Sequence, residues 1–267
     1  MRHVAPLRDG GALHPYLHLS VDDVIDDLTP LFGRAALEDP WRQPTFALLR
    51  TLHERYGVVF SLYLFRTNGV WNLDGVDGRH RDAFASASSW LRFGFHGEDA
   101  HTSYGRGSPP ERAGDQYAAV ARTIVAMAGE EALDRLPRIH RYTGHRDVLR
   151  AWRRAHHGIT GLLTAEDDRS DTYHLDRRQR ARLLALGEIV DEREDLTLVR
   201  THLRLEASSD PVGDLRRLGP RSGVRVFTHA PLLTRPDVRE ALAGVAAWAA
   251  AEGLVGAFPA DRIDGRR

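Results

Sequence analysis

The sequence predicts an α/β fold, a distorted (β/α) barrel of about seven strands. Three observations carry this expectation. Apolar, strand-like runs alternate with helical patterns along most of the 267 residues. Polar side chains gather just past the ends of those runs. No repeat or low-complexity linker divides the chain, which favours a single domain over residues 1–267 with its core at about 13–259.

The first strand is read at Leu13–Val21, and "HLSVDD" ends it on two adjacent aspartates, Asp22 and Asp23. A helix over Pro44–Tyr56 follows, with Phe46, Leu48, Leu49 and Leu52 on its apolar face and Gly57 as its stop. The near-continuous apolar run Val58–Phe65 fits a strand covered on both faces. A short helix near Arg81–Ser88 leads to a third strand, Trp90–Phe95. Tyr117, Val120, Ala121, Ile124 and Val125 then fall at helical spacing within Pro110–Ala128. Arg138–Tyr142 reads as a fourth strand, Asp147–Ala155 as a helix and Ile159–Ala165 as a fifth strand. Between Tyr173 and Glu206, an Arg-rich helical or hairpin piece precedes Leu196–Leu205, which alternates like a strand. Val224–Ala230 is the next strand, and the helix after it has Thr234 as its expected cap, Asp237 three residues on, Pro236 in its first turn and Gly253 at its end. "LVGAFP" closes the series, and the tail "DRIDGRR" is expected to fray.

Composition narrows the chemistry. The 37 basic and 37 acidic residues cancel, so no global field points to nucleic acid or to an anionic membrane surface as a partner. Every basic residue is arginine, which excludes a lysine Schiff base, and the absence of cysteine excludes thiol nucleophiles, CxxC metal sites and disulfides. "MRHVAPLRDGGALH" lacks the apolar stretch of a signal peptide, and no apolar run reaches the ~18 residues of a membrane span, so a cytoplasmic location is expected. Trp41, Trp71, Trp90, Trp152 and Trp248 read as core residues rather than sugar-stacking ones. Oligomeric state leaves no trace in the sequence.

The carboxyl ends of strands are where α/β sheets and barrels keep their functional groups. Asp22 and Asp23 follow the first strand there, "HGEDAH" (His96–His101) the third, and "EDD" (Glu166–Asp168) the fifth. His229 ends the late strand, and Arg138 and His140 lie on the fourth. Neighbouring carboxylates in a confined site repel unless a cation compensates, so a divalent metal beside Asp23 with Arg138 beside Asp22 would explain the pair; a helix cap or solvated turn is the plain alternative. His96, Glu98, Asp99 and His101 could each complete an N/O metal site with Asp23.

In this order the stretches resemble the motifs of the polysaccharide deacetylase family (NodB-homology domain, carbohydrate esterase family 4). "SVDD" resembles its first motif and "FGFHGEDAH" lies where its histidine-rich second would be. "PRIHRYTGHRDVLRAWRRAHHGITGLLTAEDD" resembles the third and fourth, and "VRVFTHA" the last. The similarity runs from about Leu13 to Pro259. Four residues separate His96 from His101 where the family usually has three, so three readings stand: ligands Asp23, His96 and His101 with a longer loop, a carboxylate from Glu98 or Asp99 in the set, or a weakened site.

The resemblance implies a barrel of the glycoside hydrolase and deacetylase type and a metal-dependent hydrolase that removes an acetyl or similar acyl group from an N-acetylated sugar or related amide. The metal, expected to be zinc with cobalt or nickel as alternatives, would be held by Asp23, His96 and His101. Asp22, oriented by Arg138, would be the general base. His229, kept protonated by Asp167 or Asp168, would be the general acid. His140 and Tyr142 would contact substrate, with a backbone N–H near Tyr142 at the oxyanion. Two rivals stand beside this reading: a glycosidase-like hydrolase on the same barrel, pairing Asp22 with Asp167 or Asp168, and a catalytically weakened carbohydrate-binding relative.

Overall fold

The computed structural model describes residues 14–33, 36–219 and 222–264, which leaves Leu13 of the expected first strand and the last three residues of the tail outside the described residues. In chain order the elements are β1 (Tyr16–Asp22), α1 (Ile25–Phe32), α2 (Pro44–Tyr56), β2 (Phe60–Phe65), α3 (Arg81–Ser86), β3 (Leu91–Gly97), α4 (Pro110–Ala128) and α5 (Arg146–Arg154). They continue with β4 (Gly161–Thr164), α6 (Arg177–Leu186), β5 (Glu188–Asp191), β6 (Leu196–Arg200), β7 (Leu203–Arg204), α7 (Pro211–Arg217), β8 (Gly223–His229), α8 (Pro236–Ala251), β9 (Val255–Gly256) and α9 (Pro259–Asp264). The fold is mixed α/β around a parallel six-stranded sheet ordered β3-β2-β1-β8-β7, with β9 also on β1; a second sheet is ordered β4-β6-β5. Among the strands of the described residues, β5 alone runs antiparallel to its neighbour. No helix of the described residues is long and apolar enough to cross a membrane.

Strand alternation sorts the side chains into two layers. Leu17, Leu19 and Val21 of β1, Phe60, Leu62 and Leu64 of β2, and Phe93 and Phe95 of β3 are buried in one large apolar cluster with the helices. The opposite face is polar and equally buried: His18 Nε2 lies 2.8 Å from Ser61 Oγ, Ser61 Oγ donates to Asp134, and Arg225 donates to the Tyr16 hydroxyl at 2.7 Å. Gly94 is required on this face because a Cβ there would lie 2.8 Å from the Tyr63 ring. A smaller apolar cluster joins strands of both sheets to the C-terminal helix through Tyr63, Leu136, Leu163, Val199, Ala260 and Ile263.

Irregular backbone links the two sheets. Asp134 N–H donates to Phe93 C=O at 2.7 Å on one side of the 133–137 segment, and Leu163 N–H to Pro137 C=O at 3.0 Å on the other. At the opposite edge His202 N–H donates to Arg225 C=O at 2.8 Å.

Three expectations are corrected. Arg138–Tyr142 is not a strand: residues 140–142 form a 3-10 turn, with Arg141 and Tyr142 both in the left-handed region at φ 55° and 56°. Thr234 does not cap the helix after β8; it donates to Pro231 C=O, and Arg235 occupies the cap position and pairs with Asp237. "DRID" of the tail is helical, anchored where Arg92 grips Asp261 at 2.7 and 3.0 Å. Trp152 and Trp90 are buried, and Trp41, Trp71 and Trp248 pack partly buried against the large cluster, in keeping with their core reading.

Candidate metal centre and catalytic rim

The two aspartates of "SVDD" would face opposite sides if the strand continued. Asp23 instead adopts φ 62°, which breaks the alternation at the end of β1 and lets both carboxylates serve one rim. Asp22, 2% exposed, sits in register with His229 on β8 and accepts a 2.8 Å hydrogen bond from Arg138 Nη1. Arg138 is itself 1% exposed, donates also to Ser20 Oγ and Thr201 Oγ1 at 3.0 Å, and lies 4.2 Å over the Phe227 ring. Burial is the largest single influence and works against its charge, but the Asp22 carboxylate together with the Tyr142 and Tyr63 hydroxyls outweighs it and raises the Arg138 pKa.

Asp23, on its side, meets two imidazoles. Among the described residues, the Asp, Glu and His groups able to share one cation are Asp23, His96 and His140, whose donor atoms all lie within 4.8 Å of one another. His96 Nε2 is 3.3 Å from Asp23 Oδ1 and 3.3 Å from His140 Nδ1. Nδ1 of His96 points at the Arg138 carbonyl at 2.6 Å; a carbonyl only accepts, so Nδ1 carries the proton and Nε2 of the neutral ring offers its lone pair to the cluster. Arg138 therefore orients both halves of the site, Asp22 through its guanidinium and His96 through its C=O. Phe65 fixes the rings of His96 and His140 with centroids at 4.8 and 5.1 Å.

These residues fit a divalent cation. Asp23 Oδ1 is buried with no aligned hydrogen-bond donor, an arrangement that costs about 1–3 kcal/mol unless something positive meets it. Tetrahedral N/O ligands at ~2.0–2.2 Å from zinc are roughly 3.3–3.6 Å apart, matching both 3.3 Å separations. Burial pushes His140 down to about 4, with His96 adding to the effect, which keeps its ring neutral and able to ligate at neutral pH.

His101, expected as the third ligand, lies elsewhere. Asp99 Oδ1 accepts from the N–H groups of His101 and Thr102 at 2.8 and 2.7 Å, which turns the "GEDAH" loop so that His101 is exposed. Glu98 pairs with Arg66 at 3.4 Å, so neither acidic alternative joins Asp23.

His229 holds the opposite wall. Its partner is Glu206, 2.5 Å from Nδ1, which also accepts from Arg204 Nε at 2.8 Å. Burial would lower the His229 pKa, but the Glu206 hydrogen bond and the Asp22, Glu206 and Asp23 carboxylates raise it. Burial would raise Glu206, yet His229 and Arg204 hold it at about 2. Asp167 and Asp168, expected in this role, are exposed and paired with Arg169 and Arg180. Glu206 was missed because Leu196–Leu205 ended the run one residue short; its place just past a strand end was the available signal. Tyr142 is buried under Arg169 at 4.7 Å, and its N–H donates to Ile139 C=O at 2.9 Å, so that N–H is committed and does not serve an oxyanion. Comparison with family models, curated proteins and solved structures finds no match for the chain.

Proposed function

We propose that the protein is a metal-dependent hydrolase that cleaves an acetyl or similar acyl group from an N-acylated sugar or related amide, a divergent relative of the polysaccharide deacetylases on a distorted barrel. The barrel reading is supported by the polar inner face and by the backbone links across both gaps between the sheets. The observation that carries the functional reading is the grouping of Asp23, His96 and His140 around a buried carboxylate oxygen without a donor, between Asp22–Arg138 and His229–Glu206.

Asp23, His96 and His140 would hold the ion, zinc or alternatively cobalt or nickel. A bound divalent ion of this kind supplies Lewis acidity, easing the ionisation of water and polarising a carbonyl. Asp22, fixed by Arg138, takes the proton from the attacking water. His229, protonated against Glu206, gives a proton to the departing nitrogen as the C–N bond breaks, so the amine leaves neutral and the acyl group leaves as the carboxylic acid, which then gives its proton to solvent. Burial of Asp22 and Arg138 excludes bulk water from the base and holds its oxygen in one place.

Acetate release from N-acetylglucosamine oligomers, assayed beside reducing-sugar release, tests the reaction class. Acetate without new reducing ends is expected; reducing sugar alone would replace this proposal with the glycosidase reading. Asp22→Asn is expected to abolish turnover with metal retained, whereas Asp23→Asn loses both. Equal metal content in the two variants would overturn the assignment of roles.

A further inference from the structure

Helix α6 carries arginines where a helix tolerates them least. Arg177, Arg178, Arg180 and Arg182 fall in its first two turns, while its first turn has no acidic residue and its last turn no basic one. Guanidinium groups there oppose the positive end of the helix dipole, and Arg178 and Arg182, four residues apart, repel each other. The capping box of Asp176 and Gln179 holds the helix start against this. Arg180 turns to Asp168 at 3.0 Å. Arg177, Arg178 and Arg182 are exposed and bond to no described residue. An arrangement that costs local stability and meets nothing within the fold points to a partner outside it.

The same face is apolar at its other end. Residues 177, 181 and 185 and residues 178, 182 and 186 form two adjacent rows, and all six are exposed, whereas Leu183 is buried and Gln179 and Leu184 are partly so. Past the arginines the rows end on Ala185 and Leu186, and Val190 stands exposed on β5 just after the helix. Leu186 at 64% and Val190 at 60% are two of the four large apolar side chains exposed among the described residues. The helix lies at the end of the sheets that carries the candidate site. Arg200, the last residue of β6, donates to the Gly187 and Leu184 carbonyls at 2.9 Å, and its neighbour Thr201 accepts from Arg138. The overall balance of 37 basic and 37 acidic residues hides this local segregation.

We propose that the exposed face of α6 is a peripheral docking surface for an anionic lipid bilayer, with Arg177, Arg178 and Arg182 on the phosphate-bearing headgroups and Leu186 and Val190 at the boundary between headgroups and acyl chains. A polyanion without an apolar phase, such as an acidic glycan, would satisfy the arginines but leave Leu186 and Val190 in water, and the face has no aromatic side chain on which a sugar ring or a base could stack. Each arginine near such a surface strengthens binding about fivefold, and salt weakens the attraction by shortening its reach.

The test is sedimentation of the full chain with vesicles of pure phosphatidylcholine and with vesicles of equal parts phosphatidylcholine and phosphatidylglycerol, at low and high salt, beside a binding assay on polygalacturonate. Binding to the anionic vesicles alone, weakened by salt, is expected. Arg178→Gln combined with Arg182→Gln is expected to cut that binding about thirtyfold with the melting temperature unchanged or raised, because two charges opposed to the helix dipole are gone. Leu186→Ser is expected to weaken vesicle binding at both salt concentrations. Equal binding to the two kinds of vesicle, binding to neither, or either variant binding like the unsubstituted chain would overturn the assignment. A lowered melting temperature in the arginine variant would make those side chains structural and overturn it too, and binding of polygalacturonate that Leu186→Ser leaves intact, with no vesicle binding, would give the face to an acidic polymer instead. The readout is binding alone, so the hydrolase proposal and this one fail separately.

Discussion

Glu206→Gln isolates one charge in the rim. Glu206 is buried to 6% side-chain exposure and its Oε1 receives His229 Nδ1 at 2.5 Å and Arg204 Nε at 2.8 Å. Glutamine keeps the shape and an acceptor but removes the anion that favours the protonated imidazole. A hydrogen bond to a charged group contributes about 1.5–3 kcal/mol, and a Coulomb energy at ~4 Å with an effective dielectric of ~20 gives an upper bound of about 4 kcal/mol. Taking about 2 kcal/mol, the protonated fraction of His229 above its transition falls about thirtyfold. Asp22 and Asp23 still favour the charged ring, so the loss is partial. The assay is the pH profile of acyl release. The alkaline limb is expected to move to lower pH, with turnover near pH ~8 down about thirtyfold and turnover near pH ~5 close to that of the unsubstituted chain. A loss of equal size at every pH, or an unmoved alkaline limb, would refute His229 as the proton donor held by Glu206.

Two further outcomes follow from the buried charges. Glu206 has its folded pKa depressed to about 2 from 4.5, so the stability it contributes is complete above 4.5 and is lost as pH falls towards 2. His229, raised above 6.5, contributes stability that is complete below 6.5 and is lost as pH rises through its folded value, so the stability deficit of Glu206→Gln in urea unfolding is expected to be largest between about 4.5 and 6.5. Arg138→Met strands the Asp22 carboxylate at 2% exposure and is expected to cost about 3–5 kcal/mol, read as a lowered urea midpoint at unchanged slope; a loss under 1 kcal/mol would mean that Asp22 is solvated.

The elements that the sequence showed well are those whose period follows from burial. Val58–Phe65 is apolar but for Ser61 because β2 is buried along its whole length, and Pro110–Ala128 carries a helical stripe because α4 lays Tyr117, Val120, Ala121 and Ile124 into the large cluster. Arg138–Tyr142 misled because its alternation of polar and apolar residues has another origin. Arg138 turns inward to Asp22, Ile139 enters the core, His140 joins Asp23, and the left-handed Arg141 and Tyr142 end the extension. Convergence in space is what spacing along a chain does not encode. The adjacency of Asp22 and Asp23 and the approach of His96 to Asp23 are legible because each lies at a strand end, and the partnership of Asp22 with Arg138 because a carboxylate in a confined site needs a compensating cation. The choice of His140 over His101 depends on an Asp99-centred turn and on the 133–138 segment running parallel beside β3, and neither leaves a periodic signature.

The most direct measurement is metal content per chain, by inductively coupled plasma analysis, of the purified protein and of His140→Ala and His101→Ala. The grouping of Asp23, His96 and His140 predicts about one zinc, cobalt or nickel ion per chain, lost in His140→Ala and retained in His101→Ala. Retention in His140→Ala with loss in His101→Ala, or no stoichiometric metal in the unsubstituted protein after growth with all three supplied, would contradict it.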